Sequence, residues 1–270
     1  MSTTTTSPIV IPAALPTSRF APVELAELLA EAELLTRVDR KYLVTEEAAS
    51  ALLNALDAGT RILTISDRTS FGYESSYFDT ADLLSYRQSA HGRRRRFKVR
   101  TRHYLDADAA FVEVKVRGPR DTTVKERIEH DPADGTWLSA EEHAFIHATL
   151  SSGGLDAHLT DGLRPTLVTR YTRTTLLPTE LDVRVTLDTD LTWHDGAREL
   201  FLPGLVIVET KAGRRASGVD RLLWRSGHRP TSFSKYATGM AILHDGLPAN
   251  KWSRVIRHLP ATTQEMPCAA

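Results

Sequence analysis

Charged and apolar residues alternate along several stretches of this chain. Arg96, Lys98, Arg100 and Arg102 share one parity. So do Glu113, Lys115 and Arg117 in FVEVKVR, Lys125, Arg127 and Glu129 in VKERIEH, Asp182 and Arg184 in LDVRVTLD, and Glu209 and Lys211 in VIVETK. Val112, Val114, Val116, Val183, Val185, Leu187, Val206 and Val208 hold the opposite parity. Side chains alternate across a strand, so each stretch is expected to be a strand with one charged and one apolar face. Further strands are predicted for RKYLV, for GYESSYFDT ending near Asp79, for RRRRFKVRTRHYL, and for PTLVTRYTRTTLL joined at Pro178 to ELDVRVTLDTDL. Two hairpins are expected, one around Gly118-Pro119-Arg120-Asp121 and one around Pro203-Gly204.

A helical period takes over elsewhere. Val23, Leu25, Leu28, Leu29, Leu34 and Leu35 predict an amphipathic helix over 22–35. Thr45, followed by Glu46 and Glu47, is placed to cap a helix reaching about Leu56. A short helix is predicted over 81–89. Another runs through SAEEHAFIHATL, where Ser139 and Glu142 have capping-box spacing, and two more lie in GVDRLLWRS and SKYATGMAILHD. Residues 151–162 read as irregular. Roughly eight strands with regularly spaced turns predict an α+β fold, mainly antiparallel β: an eight-stranded β-barrel with helices packed outside. A barrel of that size has an interior just wide enough for side chains or a narrow ligand. One domain is expected over 20–258, between disordered tails at 1–19, which are rich in Thr and Pro, and at 259–270.

Lys plus Arg number 34 and Asp plus Glu number 34, so the formal net charge is zero. That balance argues against a general nucleic-acid binder and requires any anion site to be local. Cys268 is the only cysteine, which leaves no intrachain disulfide and no Cys-based zinc site and favours a reducing compartment. The first residues lack a basic n-region, and no apolar run approaches the ~20 residues needed to span a bilayer. A cytoplasmic protein is therefore expected.

Antiparallel sheets often leave one face wet, and wet faces carry charge. Here Arg and Lys dominate the charged faces, and E-x-K recurs as Glu113/Lys115 and Glu209/Lys211. Turned inward, these faces would make a basic lumen suited to a chain of phosphates. Arg offers a planar fork at fixed charge and Lys a compact one. The cations on these and neighbouring segments are Lys41, Lys98, Arg100, Arg102, Lys115, Lys125, Arg127, Arg173, Arg184, Lys211 and Lys235. Glu113, Glu209 and Asp182 would offset part of their mutual repulsion, and a bound anion the rest. A carboxylate in a phosphate site commonly holds Mg²⁺ or Mn²⁺; Glu209, mid-strand beside Lys211, is the first candidate ligand and Glu113 the second. The run Arg93–Arg96 must split between two strand faces and reads as a solvated strand entrance. His143 and His147 lie four apart without a third metal partner, and no P-loop, G-x-G-x-x-G or G-x-S-x-G is present.

The ordered set RKYLV (40–44), YFDT (77–80), KVRTRHY (98–104), FVEVKVRG (111–118), VKERIE (124–129), RYTRTTL (170–176), DVRVTLDTDL (182–191), VIVETK (206–211) and FSKY (233–236) resembles the VTC domain. That is the catalytic domain of the vacuolar transporter chaperone polyphosphate polymerases, within the triphosphate tunnel metalloenzymes. The resemblance implies a basic antiparallel tunnel that binds ATP and polyphosphate or triphosphate. By motif, Lys41, Arg100, Arg102, Lys115, Lys125, Arg173, Arg184 and Lys235 would contact phosphate as catalytic residues. Lys98, Arg127, Lys211, Ser234 and Tyr236 would add substrate contacts, and Glu209 would bind the metal. Arg37-Val38-Asp39-Arg40-Lys41 replaces the E-x-E-x-K of the adenylate cyclase and thiamine triphosphatase branch, and Thr231 and Ser232 stand where relatives often have a basic residue. No SPX domain or membrane helix is present in the sequence, so it resembles a stand-alone domain of bacterial type, with a membrane-protein partner expected only by family analogy. The implied activity is a metal-dependent polyphosphate polymerase. Its rivals are a triphosphate or polyphosphate hydrolase on the same tunnel and a non-catalytic polyphosphate-binding module.

Overall fold

The computed structural model describes residues 15–31, 38–117 and 123–259. The expected tails over 1–14 and 260–270, the end of the first predicted helix (Leu34, Leu35) and the turn at 118–121 lie outside the described residues. Residues 15–19 are described: the Arg19 guanidinium donates to the carbonyls of Asn54 and Leu56, tying this segment to the end of a helix.

The described elements run β1 (Ala21–Val23), α1 (Leu25–Glu31), β2 (Val38–Thr45), α2 (Glu46–Ala55), β3 (Arg61–Leu63), β4 (Ser70–Asp79), α3 (Leu84–Ala90), β5 (Arg96–Tyr104), β6 (Ala109–Arg117), β7 (Thr123–His130), α4 (Ala140–Ser152), β8 (Arg164–Leu177), β9 (Arg184–His194), β10 (Glu199–Phe201), β11 (Leu205–Ala212), α5 (Gly218–Arg225), α6 (Lys235–Leu243) and α7 (Ser253–Ile256). All the strands join one sheet, mainly antiparallel, whose main path is β2-β11-β9-β8-β4-β5-β6-β7. β1 and β3, short strands the alternation did not reveal, pair in parallel beside β8.

The main path has the expected eight strands, but the ladder is not closed into the expected barrel: among the described residues β2 and β7 do not pair. β7 carries Lys125, Glu126, Arg127 and Glu129, and charge along an edge disfavours further pairing. A period of two dictates which side chains share a face and leaves open whether the two end strands meet.

The apolar faces are packed outward against helices. Val112, Val114 and Val116 of β6 join Val99, Ile146 and Leu150 in a cluster under α4. Val185 and Leu187 of β9 and Val206 and Val208 of β11 join Leu53 and Leu223 under α2 and α5. Each fully buried Val or Leu side chain contributes about 1.5–3 kcal/mol relative to exposure. A third cluster gathers Tyr73, Tyr77, Tyr171, Trp193 and Tyr236 around α6 and the C-terminal Trp252. Ser139 and Glu142 form the predicted capping box of α4, and Ser217 with Asp220 forms another on α5. The buried Asp220 carboxylate also accepts from Tyr42 Oη at 2.7 Å and Thr210 Oγ1 at 2.6 Å. That bond set pins α5 across the β2–β11 pair, whose inward faces carry Lys41 and Glu209. No described helix is long and apolar enough to cross a membrane.

Candidate active site

The charged faces turn inward around a cavity of about 210 Å³. Nine Lys or Arg side chains line it (Lys41, Lys98, Arg100, Arg102, Lys115, Lys125, Arg173, Lys211 and Lys235), with Asp39, Glu113, Glu209, Tyr77, Tyr171 and Ser234. Asp39 and Lys41 come from β2 and Lys125 from β7, so the sheet curls until its unpaired ends face one space. Ladder register sets the neighbours. Lys98 lies opposite Lys115, Arg100 opposite Glu113, and Lys115 opposite Lys125, while Lys41 lies opposite Glu209.

Two carboxylates hold most of the strong ion pairs. Glu113 Oε2 accepts from Arg100 Nε and Nη2 at 2.9 and 2.6 Å, and its Oε1 accepts from Lys125 Nζ at 2.8 Å. Burial pushes this carboxyl up, but the charges of Arg100, Arg102 and Lys125 outweigh that and hold it well below the usual range. Asp188, fully buried, accepts from Arg173 Nε and Nη2 at 2.6 and 2.8 Å and also from Lys235 Nζ. Burial again opposes ionisation, and Arg173 and Lys235 override it. Asp188 shares the parity of Arg184 in β9. That alternation is the signal in the sequence that points to it.

Glu209 behaves differently. Burial raises its carboxyl, while Lys41, Lys211 and Arg173 bring it down to about 2 and Asp188 opposes them. No described side chain hydrogen-bonds or ion-pairs with it, so an ionised carboxylate faces the cavity with its oxygens uncommitted. Lys211 is pushed down to about 8, chiefly by burial, with Glu209 opposing. Lys98 falls well below the ordinary lysine range through burial and then through Lys41, Lys115, Arg100 and Lys251.

Among the described residues no group of three His, Cys, Asp or Glu could hold a metal ion. Mg²⁺ commonly takes one or two carboxylates with the rest supplied by phosphate and water, and Glu209 fits that donor set. Glu113, whose oxygens already accept from Arg100 and Lys125, is the more committed of the two carboxylates.

Aromatic groups complete the walls. Arg100 Nη1 donates to Tyr77 Oη at 3.1 Å and Arg102 Nη2 to Tyr171 Oη at 3.3 Å. Lys235 Nζ stands 4.0 Å from the Tyr171 ring centroid. Tyr77 and Tyr171 were not anticipated from sequence. Ser234 Oγ accepts from Lys98 Nζ at 2.8 Å and from Ala237 N at 3.2 Å, so it caps α6 as well as lining the cavity.

Of the residues expected from sequence to act on phosphate, Lys41, Lys98, Arg100, Arg102, Lys115, Lys125, Arg173, Lys211, Ser234 and Lys235 meet in the cavity, as do Glu113 and Glu209. Three do not line it. Tyr236 is buried, and its Oη donates to Asp79 Oδ2 at 2.5 Å, which ties α6 to the end of β4. Arg127 lies over the Phe111 ring at 4.6 Å, and Arg184 sits opposite Lys211 in the ladder, beyond the lining. Asp182, expected beside Arg184, has φ +61° and belongs to the turn before β9.

The family model for the VTC domain matches residues 36–244, well over half of the chain. No match was found among curated proteins. Solved structures similar to this chain include a candidate adenylate cyclase from Bacillus halodurans (TM-score 0.46, 14% identity, covering 74% of this chain and 94% of that one). HpAC1 from Hippeastrum, described as having a dominant triphosphatase activity, is similar over 80% of this chain and 100% of its own, with TM-score 0.46 and 15% identity. The Pct1 RNA triphosphatase of S. pombe, in complex with the Spt5 CTD, gives TM-score 0.23 and 12% identity over 73% of this chain and 54% of that one. By the extent of the family match, this chain belongs to the VTC domain family.

Proposed function

We propose that this chain is a metal-dependent polyphosphate polymerase. ATP would lie in the cavity, and an oxygen at the end of a phosphate chain would attack its γ-phosphorus. The bond from that phosphorus to the bridging oxygen breaks, and its electron pair leaves with ADP. The observation that carries this reading is the ring of nine cations around an ionised, uncommitted Glu209. Membership of the VTC domain family supports a phosphate chain as the acceptor.

Phosphoryl transfer asks for positioning and charge neutralisation more than for covalent help from the protein. Asp188 holds Arg173 and Lys235, and Glu113 holds Arg100, before any ligand arrives, so these donors need little reorganisation. Lys98 and Lys211 are depressed by burial and regain full positive charge beside an anion. When bound to Glu209, Mg²⁺ or Mn²⁺ would neutralise charge on the phosphate oxygens.

The test is incubation with ATP and Mn²⁺ or Mg²⁺, followed by ³¹P NMR. An internal-phosphate signal with matching ADP is expected. Orthophosphate alone would replace the polymerase with a tunnel-type hydrolase using water as the acceptor. No turnover, with tripolyphosphate still raising the melting temperature, would leave a polyphosphate-binding module.

A further inference from the structure

The segment from Ser226 to Ser234 serves two places. Ser234 reaches the phosphate cavity, while His228, Arg229 and Thr231 line a separate cleft of about 600 Å³. The floor of this cleft is apolar: Leu43 of β2, Leu205 of β11, Val255 of α7, and Leu259. Its rim carries Arg229, Arg254 and Arg257 with His228 and His258, and among the described residues no Asp or Glu lines it. Arg229 donates to the carbonyls of Trp224 and His228, and Arg257 to that of Ser253. Among the described residues none of these three guanidinium groups is ion-paired. Among the described residues, therefore, the cleft is an apolar trough rimmed by positive charge that no carboxylate offsets.

The backbone beside it is also open. β2 ends the main path of the sheet, and its one ladder partner among the described residues is β11. On the opposite edge the Lys41 carbonyl accepts from Thr231 N at 2.8 Å. Backbone groups of an antiparallel strand point to the same edge at every second residue. The N–H and C=O of Leu43 therefore face the same way as the Lys41 carbonyl, on the side where the cleft lies.

We infer that this cleft binds an extended acidic segment of a partner protein, added as a short strand against the N–H and C=O of Leu43 on the edge of β2. Alternate apolar side chains of the segment would fill the floor and its carboxylates would meet Arg254 and Arg257. A recessed floor beside a strand edge suits an extended chain, whereas a bilayer needs a surface it can lie against. The inference is independent of the chemistry proposed for the phosphate cavity.

A fluorescein-labelled peptide of about a dozen residues alternating Glu and Val, titrated into the full chain and read by anisotropy, tests it. Binding is expected, with a Lys-for-Glu counterpart failing to bind. The double change Arg254→Glu and Arg257→Glu should weaken binding at least ~10-fold with the melting temperature unchanged; Arg254→Ala with Arg257→Ala serves if the reversal unfolds the chain. Amide exchange at Leu43 should slow when the peptide is bound. The inference would be overturned by no binding, by a variant that binds as tightly as the parent, by displacement of the peptide by saturating tripolyphosphate, or by sedimentation with phosphatidylglycerol vesicles in place of peptide binding. A chain ending at Leu259 that gains binding absent from the full chain would assign the cleft to the residues after Leu259, and would overturn it too.

Discussion

Asp188→Asn removes the one negative charge between two cations whose side chains are each 12% exposed, Arg173 and Lys235. The asparagine oxygen can accept from one of them, but its NH₂ then points hydrogens at the other's donors. Breaking a buried ion pair from one side typically costs about 3–5 kcal/mol, because the remaining charge stays buried and uncompensated. For a domain of this size 1 kcal/mol moves the melting temperature by about 2–4 °C, so a fall of about 6–20 °C is expected by calorimetry. Tripolyphosphate should then raise the melting temperature of the variant by more than that of the parent, since the anion supplies the charge that was removed. A loss below about 1 kcal/mol would refute the idea that Asp188 neutralises both cations. Equal ligand-induced shifts in the two proteins would refute the idea that this pair faces the anion.

Glu209→Gln should remove metal-dependent turnover and lower the melting temperature, since the cations that hold its carboxyl down to about 2 lose their partner, while the circular dichroism of the fold is kept; near-normal activity would sink the metal assignment. Tripolyphosphate binding at about pH 8 should take up about half a proton at most through Lys211, which is half-protonated there when free and whose pKa an adjacent anion raises. Lys211 is protonated in both states below about pH 6, so its share of the uptake vanishes, and affinity weakens as pH rises through about 8. Calorimetry in buffers of different ionisation enthalpy counts the protons, and Lys211→Met should reduce the count. Gly239→Ala places a Cβ 2.6 Å from Trp193 Cδ1 and 2.9 Å from Leu167 Cδ2, so a loss of about 1–3 kcal/mol is expected in denaturant melts; an unchanged midpoint would contradict the packing of α6 against β8 and β9.

Strand alternation made much of this molecule legible. The valines of β6, β9 and β11 are buried outward as their parity required, and Lys98, Arg100 and Arg102 of β5, Glu113 and Lys115 of β6, and Glu209 and Lys211 of β11 meet in one cavity. Where reading failed, the reasons are local. Asp182 is only two residues from Arg184, but the chain turns there with positive φ, so parity no longer carries across. Tyr236 follows Lys235 in sequence, yet adjacent positions on a helix point about 100° apart, which sends its ring into the core toward Asp79. A strand pattern puts Glu113 on the inward face; it does not show that a facing arginine and lysine pair with its two oxygens. β1 and β3, three residues each, are too short to display a period, and the failure of β2 and β7 to pair is a property of curvature that alternation does not encode.

The hydrophobic clusters under α2, α5 and α4 lie on the opposite side of the strands from the charged lining. Selection can therefore act on the two sides of one wall with partial independence. An inward Lys or Arg on β5 or β11 can be exchanged without repacking a valine next to it in the chain. Drift in what the cavity binds would then proceed by inward substitutions while the outer packing kept the scaffold folded. The positions that resist such drift would be those where an inward charge is tied to a buried partner, as Arg173 and Lys235 are to Asp188.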